Sequence, residues 1–147
     1  MSYAVREVDT AGQPTAVVVE ATTWEVFPTL WPRLLDTVWA AVRSRDEITP
    51  NRNVMLYKDD VRNVEIGVEV GKSIPELGRV VSSSLPAGHA AMTTHHGSYD
   101  DLGSAHRAII EWCDRRGLQR VGPRWEIYGH WSEGSTGQEV EVYYLVR

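Results

Sequence analysis

Cysteine is almost missing from this sequence of 147 residues, in which Cys113 is the single one. It cannot form a disulfide within the chain, which excludes a disulfide-stapled fold and favours a reducing compartment. The sequence also lacks any apolar run near the roughly 18 residues of a membrane-spanning helix, and its charged N-terminus has no apolar signal segment. We therefore expect a cytoplasmic protein without a membrane partner.

Basic residues are scarce as well: 15 Lys and Arg stand against 20 Asp and Glu, for a net charge of −5. This balance argues against a partner whose binding depends on neutralising nucleic-acid phosphates. The contents of 42% hydrophobic and 24% charged residues are ordinary for a globular chain of one domain. We expect the domain to fold without a structural metal or a cofactor.

Phenylalanine occurs once, whereas tryptophan and tyrosine occur six times each. Trp and Tyr combine an apolar ring with a hydrogen-bonding group, so they suit partly wet, ligand-facing surfaces. The aromatic composition is therefore the first indication that the protein binds a ligand.

The apolar pattern predicts a strand–helix–strand–strand order that occurs twice. The first copy has a strand at 16–20, a helix at 29–45 with Thr29 as its N-cap and Pro32 in its first turn, and strands at 54–57 and 64–70. The second has a strand at 89–96, a helix at 99–116 that begins after Ser98 and ends at Gly117, and strands at 125–128 and 139–146.

Two copies of one unit predict an α+β fold made of a duplicated β-α-β-β module with antiparallel strands. The modules would span 1–75 and 76–147 and pack together as one domain, because a single module leaves part of its sheet uncovered. The alternative is that two halves of similar pattern arose by chance.

Strand alternation predicts which side chains face the helices. We expect the helices to cover Val54, Leu56, Trp125, Ile127 and Trp131. The opposite face then carries Met55, Tyr57, Glu126, Tyr128, His130 and Tyr143. A carboxylate among aromatic rings suits a lipophilic cation, through Coulomb attraction and cation–π contact. The alternative is a solvated sheet face on which Glu126 is an ordinary surface acid.

The histidines do not form a pattern typical of metal ligands. His95 and His96 are neighbours on a strand and point to opposite faces, and His89 is distant along the same strand. His106 and Cys113 fall in the apolar stripe of the second helix, where we expect a hydrogen-bonded histidine of the core or of an interface and a buried structural cysteine. We predict no metal site.

The segments HHGSYDDLGSAHRAIIEW, GPRWEIYGHW and EVEVYYLV resemble the second repeat of the GyrI-like small-molecule-binding domains. FPTLWPRL and VEIGVEVG resemble the first repeat. The resemblance covers nearly the whole chain and implies two modules related by a pseudo-two-fold axis, with a ligand cleft between them. Such domains are the effector-binding parts of multidrug-sensing regulators of the AraC and MerR classes, and they also exist alone.

In this family a glutamate at the position matching Glu126 recognises cationic drugs in an aromatic pocket. We therefore expect a receptor for amphipathic, aromatic and cationic small molecules, with Glu126 as charge partner. The expected walls are Trp31, Met55, Tyr57, Tyr99, Tyr128 and Tyr143. For Trp31 and Tyr99, packing at a helix start is the alternative role.

The resemblance leaves two further functions open. Some stand-alone members resemble hydrolases that open strained cyclopropane genotoxins, which implies metal-independent hydrolysis with Glu126 activating water and Tyr128 or Tyr143 donating a proton. Others bind DNA gyrase and protect it from toxins.

The sequence departs from the regulators in two respects. Its first strand begins within twenty residues of the start, which leaves no room before it for a helix-turn-helix segment, so we expect no direct DNA binding. The hairpin at 130–134 lacks the Asp-Pro dipeptide that the resemblance leads us to expect after the tyrosine that matches the family pattern.

Overall fold

The computed structural model describes residues 3–129 and 138–147, which form eight strands and two helices. In chain order these are β1 (Arg6–Ala11), β2 (Pro14–Glu20), α1 (Phe27–Arg43), β3 (Asn53–Asp59), β4 (Asn63–Glu69), β5 (Val81–Ser84), β6 (Ala87–Gly97), α2 (Leu102–Arg116), β7 (Arg120–Tyr128) and β8 (Gln138–Val146). A 3-10 turn over Tyr99–Asp101 leads into α2. Within the described ranges, no helix is long and apolar enough to cross a bilayer.

Both helices form where the apolar periodicity predicts them, but the start of α1 differs. Its N-cap is Val26, and the Thr29 hydroxyl donates to the Val26 carbonyl at 2.9 Å instead of capping the helix. The predictions of Thr29 as N-cap and of Pro32 in the first turn are therefore wrong, since Pro32 lies inside the helix. Pro28 in the first turn allows the earlier start, because its missing N–H would have no partner within the helix there.

The Ser98 and Gly117 signals that flank α2 are confirmed, although the predicted helix start at residue 99 is a 3-10 turn and α2 itself begins at Leu102. The Ser98 hydroxyl accepts a hydrogen bond from the Asp100 N–H at 3.2 Å and so caps the 3-10 turn that opens the helix. Gly117 ends α2 in the left-handed region, with φ 69°. Glycine adopts this conformation without the steric cost that a side chain brings.

The strands form one antiparallel sheet in the order β1-β6-β8-β7-β3-β4-β2-β5. The fold is therefore α+β, as expected. From one end, the edge strand β1 is followed by β6, which precedes α2, and then by β8 and β7, the second and the first strand after α2. From the other end, β5, β2, β4 and β3 have the same positions relative to α1. The two halves share one continuous sheet, because β3 pairs with β7 at its centre.

The edge strands β1 and β5 are absent from the sequence prediction. Each lies beside the strand that precedes the other half's helix: β1 pairs with β6, and β5 pairs with β2. Both edge strands are poor in buried apolar residues, so they carry little of the alternation that identifies a strand. The division into 1–75 and 76–147 stays a prediction, and the two segments exchange edge strands.

The helices cover the face of the sheet that was expected to be open. Leu34, Val38 and Val42 of α1 pack in one core cluster with Met55 and Tyr57, while Ala105, Ile109 and Cys113 of α2 pack in a second cluster with β8.

The opposite face encloses Val54, Leu56, Trp125 and Ile127 with side chains of β1, β6 and β8. The expectation that the helices cover these four residues is therefore wrong. Both faces of the central strands are buried, so alternation sorts the side chains into two sets without telling which set the helices cover. His130, Trp131 and the hairpin at 130–134 lie outside the described residues.

The position of Gly67 in β4 allows a test of how closely β4 approaches β2. A Cβ built on it would lie 1.8 Å from the carbonyl oxygen of Ala16 and 2.8 Å from the Cα of Val17, both backbone atoms of β2. We predict that Gly67→Ala lowers the free energy of unfolding by about 1–3 kcal/mol, because the strands must separate to admit the methyl group. Urea unfolding followed by tryptophan fluorescence measures the loss.

Gly71→Ala is the matched control, because a Cβ at this position meets no atom within 4 Å. A loss of the same size in both variants would contradict the close approach of β2 and β4.

Candidate functional site

A cavity of about 720 Å³ lies over the joint between the two halves of the sheet, with α1 and α2 on either side. Strands β3 and β7 form its floor. It is lined by Trp24, Phe27, Trp31, Leu35, Trp39, Asn51, Asn53, Met55, Tyr57, Tyr99, Leu102, Gly103, His106, Arg124, Glu126, Tyr128, Gly129 and Tyr144.

Helix α1 supplies one wall through residues spaced four apart: Phe27, Trp31, Leu35 and Trp39. Side chains at this spacing lie above one another on one helix face. The neighbouring stripe of Leu34, Val38 and Val42 is buried and holds the helix on the sheet. The Trp39 indole N–H donates to Asn53 Oδ1 at 2.8 Å, which fixes the orientation of that ring.

The floor contains Met55 and Tyr57 of β3 beside Glu126 and Tyr128 of β7. Met55 and Glu126 are register partners, and residues two apart on a strand share a face. The strand pairing therefore brings the four side chains together, although about 70 residues separate β3 from β7 in the sequence.

Glu126 is the carboxylate at the centre of this floor, and its side chain is 5% exposed. Oε1 accepts hydrogen bonds from the hydroxyls of Tyr57 at 3.1 Å and Tyr128 at 2.7 Å. Oε2 lies 2.6 Å from Nε2 of His106. Since an ionised carboxylate only accepts, Nε2 carries the proton of this bond. Three donors thus hold a buried acid, and the alternative of an ordinary surface carboxylate is excluded.

His106 extends this network into α2 and β8. Its Nδ1 lies 2.7 Å from the hydroxyl of Tyr144, a residue 7% exposed. The connected groups run from Tyr144 through His106 to Glu126, and from there to Tyr57 and Tyr128. This arrangement can bind a positive charge at Glu126 or transfer a proton along the hydrogen bonds.

The tyrosine hydroxyls of the network stay protonated at neutral pH. Burial, strengthened by the charge of Glu126, raises the pKa of both Tyr57 and Tyr128 well above the ordinary value. Burial also raises the pKa of Tyr144 to about 12. All three therefore act as neutral hydrogen-bonding groups near pH 7.

The rim of the cavity carries a positive charge that is already paired. Arg124 donates to Asp60 Oδ1 at 2.8 Å, and its guanidinium lies 4.9 Å from the centre of the Tyr57 ring. The indole N–H of Trp24 donates to Asp60 Oδ2 at 2.9 Å. These bonds, that from Arg124 above all, lower the pKa of the Asp60 carboxyl, so the pair stays ionised.

Exposed aromatic rings stand at the mouth. Trp24 is 51% exposed and stacks on Tyr57, with ring centres 6.0 Å apart. Tyr99 is 46% exposed and meets Tyr128 edge to face at 5.5 Å. An entering solute would therefore meet aromatic surface before it reaches Glu126.

Six of the seven predicted ligand-binding residues line this one cavity: Trp31, Met55, Tyr57, Tyr99, Glu126 and Tyr128. Tyr143 does not. It is the register partner of Trp125 and stacks on that ring with centres 5.2 Å apart, on the opposite face of the sheet. Its hydroxyl donates to Glu141 at 2.7 Å. The placement of Tyr143 as a wall or proton donor beside Glu126 is thus wrong, because β8 presents Tyr144 to the cavity.

Sequence reasoning missed the position of His106 in the cavity, because it assigned this residue to the core or to an interface. The side chain is hydrogen-bonded, as expected, but it lines the cavity and is 17% exposed. A polar residue within the apolar stripe of α2 was the available signal. Cys113 is buried as predicted. Trp24, Trp39 and Arg124 were also missed, although Trp39 continues the spacing of Trp31 and Leu35.

No group of three or more metal-ligating side chains occurs in the part of the chain that the structure describes. His95 is 2% exposed, whereas the side chain of His96 is 69% exposed, in agreement with their opposite directions on β6.

Comparison with known proteins identifies one family. The family model of the GyrI-like small molecule binding domain matches residues 4–146. No curated protein matches the sequence.

Solved structures share the fold at low sequence identity. The crystal structure of the EcmrR C-terminal domain superposes with a TM-score of 0.82 at 18% identity, over 100% of this chain and 99% of that one. The structure of SAV2435 bound to tetraphenylphosphonium gives 0.67 at 12%, over 100% and 94%. A hydrolase from Listeria innocua gives 0.63 at 9%, over 97% and 91%. At these identities the likeness shows the fold alone.

Proposed function

Since this chain belongs to the GyrI-like family of small-molecule-binding domains, we propose that it is a cytosolic receptor for aromatic organic cations. One observation carries the proposal: the carboxylate of Glu126 is buried at the floor of a cavity of about 720 Å³ whose walls are largely aromatic. A volume of this size suits a drug-sized ligand.

The charges around the cavity favour a positive ligand. Arg124 is paired with Asp60, so its charge is compensated at the rim. With a neutral His106, the charge of Glu126 has no cationic partner among the described residues that line the cavity. Attraction between this carboxylate and a ligand cation is strengthened by the low dielectric of the enclosed site.

The aromatic walls favour a cation whose charge is spread over an apolar body. Tyr57 and Tyr128 lie beside Glu126, and Trp24 and Tyr99 stand at the mouth. Ring faces attract cations and also bury apolar surface. A protein of the same fold, SAV2435, has been solved with the organic cation tetraphenylphosphonium, which supports this ligand class.

Two probes of matched shape test the role of the carboxylate: methyltriphenylphosphonium, which is a cation, and triphenylphosphine oxide, which is neutral. We expect Glu126→Gln to weaken binding of the phosphonium by about 1–3 kcal/mol, because a charge-assisted contact is lost, and to leave the oxide nearly unchanged. Quenching of tryptophan fluorescence at pH 8 measures both dissociation constants.

Glu141→Gln is the matched control, because this carboxylate lies on the opposite face of the sheet, where it accepts from Tyr143. Equal losses for the two probes in Glu126→Gln would remove Glu126 from charge recognition.

The two faces of the sheet also predict which tyrosine contributes to binding. Tyr128→Leu should weaken phosphonium binding by about 0.5–2 kcal/mol, because a ring beside the charge is lost. Tyr143→Leu removes the same kind of ring from the other face and should leave the affinity unchanged. Isothermal calorimetry measures the effect, with thermal melts to verify that both variants fold. A larger loss in Tyr143→Leu would contradict this assignment of the faces.

Hydrolysis of strained cyclopropane electrophiles is the second candidate function, and the hydrogen-bonded series Glu126–His106–Tyr144 favours it. In this reaction the oxygen of a water molecule bonds to a carbon of the cyclopropane ring, and a C–C bond of that ring breaks. The electron pair of the broken bond goes to the electron-withdrawing substituent of the substrate that activates the ring. Glu126 would accept the water proton, and Tyr57 or Tyr128 would hydrogen-bond the developing anion. Transfer of the proton from Glu126 to this anion would then complete the addition of water and restore the carboxylate. Because of its position, Tyr143 has no part in this scheme.

Incubation with a cyclopropane-containing alkylating agent tests the hydrolase function. Mass spectrometry should detect a product 18 Da heavier than the agent, formed over many turnovers and abolished in Glu126→Gln. Binding in a one-to-one ratio without product at long times would exclude turnover of that agent.

No observation on the described residues favours the third alternative, protection of DNA gyrase. Among the described residues the large exposed apolar side chains are Val19, Trp24, Val26 and Tyr99. Trp24 and Tyr99 belong to the cavity, so they do not form a separate docking patch.

A further inference from the structure

We propose that His106 sets the charge of the ligand that the cavity accepts, by carrying a proton that an organic cation must displace. The inference rests on the proposed function, in which Glu126 is the charge partner. It goes beyond it by making cation binding and protonation of His106 mutually exclusive, so that each bound cation releases a proton.

The contacts of His106 allow both of its protonation states. Nε2 donates to Glu126 at 2.6 Å whether the ring is neutral or charged. Nδ1 faces the hydroxyl of Tyr144 at 2.7 Å, and a hydroxyl can either donate or accept. A neutral ring accepts from Tyr144 at Nδ1, and a charged ring donates to it. The ring therefore takes up a proton without losing either hydrogen bond.

The added proton changes the charge beside the ligand. Glu126 and a neutral imidazole together carry −1, whereas Glu126 and an imidazolium carry zero. Since the two side chains are in direct contact and only 5% and 17% exposed, water screens this change weakly. The neutral-imidazole state attracts a cation, and the imidazolium state removes that attraction.

Histidine is the side chain whose charge ordinarily changes between pH 5 and 8. Besides Glu126, the ionisable groups that line the cavity around His106 are tyrosines and one arginine, residue types whose ordinary pKa lies above this range. They are Tyr57 from β3, Arg124 and Tyr128 from β7, Tyr144 from β8 and Tyr99 at the start of α2. On α2 itself, the exposed Arg107 bonds to Ser104. On β6, His95 is engaged by the Tyr3 hydroxyl at 2.8 Å and the Ser98 carbonyl at 2.7 Å.

The first test measures the dissociation constants of methyltriphenylphosphonium and triphenylphosphine oxide from pH 5.5 to 8, since neither probe titrates in this range. For the unmodified protein we expect the phosphonium to bind at least about threefold more weakly at pH 5.5 than at pH 8, because a proton on His106 neutralises the charge of Glu126 and must leave before the cation binds. The affinity for the oxide should change by less than about twofold.

His106→Gln keeps a donor for Glu126 but carries no charge at any pH. In this variant the affinity for the phosphonium should vary by less than about twofold over the same range. His96→Gln is the matched control on an exposed histidine and should retain the pH dependence of the unmodified protein. An equal pH dependence in His106→Gln and the unmodified protein would overturn the proposal, because the titrating group would lie elsewhere.

Proton release gives a second readout that needs no variant of His106. Calorimetry at pH 6 in two buffers of different protonation enthalpy should show a net release of protons when the phosphonium binds and none when the oxide binds. Phosphonium binding without proton release would overturn the proposal even if His106→Gln does not fold.

The outcome at pH 8 separates this proposal from the one on which it depends. A phosphonium preference that is present at pH 8, lost in Glu126→Gln and independent of pH would sustain the receptor function and overturn the role of His106. A phosphonium that binds no better than the oxide at pH 8 would overturn both.

Discussion

The buried carboxylate of Glu126 is the constraint on which the architecture of the cavity depends. An ionised acid removed from water is costly unless donors replace its hydration, and here three donors do so. They come from β3, from β7 itself and from α2, so the two halves of the sheet and one helix meet at a single side chain. A ligand that pairs with Glu126 enters a site whose donors are already in position.

The buried acids on the two faces of the sheet have different partners. On the face away from the helices, Arg52 bonds to Glu69 at 2.9 Å and to Glu141 at 3.0 Å, and Tyr143 also bonds to Glu141. These acids are paired with a cation of the chain itself. On the helix face, by contrast, Glu126 has only neutral donors and one histidine. This difference supports our proposal that a cationic ligand binds on the helix face.

The exchange of edge strands joins the two halves closely. Strand β1 pairs with β6 and β5 pairs with β2, while β3 and β7 pair at the centre. Neither half could retain all its strand partners alone, so the cavity over the central joint requires both. Receptor function and hydrolysis would use the same groups in this cavity, and they differ in whether Glu126 holds a cation or a water molecule.

The sequence by itself determined both helices, the six longer strands, the Ser98 and Gly117 signals and the grouping of Met55 with Tyr57 and of Glu126 with Tyr128. These features depend on local periodicity and on the conformational preferences of single residues. Only the tertiary structure decided that the helices cover the face of Glu126, that β8 presents Tyr144 instead of Tyr143, and that His106 reaches the carboxylate. When both faces of a strand are buried, alternation cannot identify the face that a helix covers, and pairing between distant strands leaves no local signal.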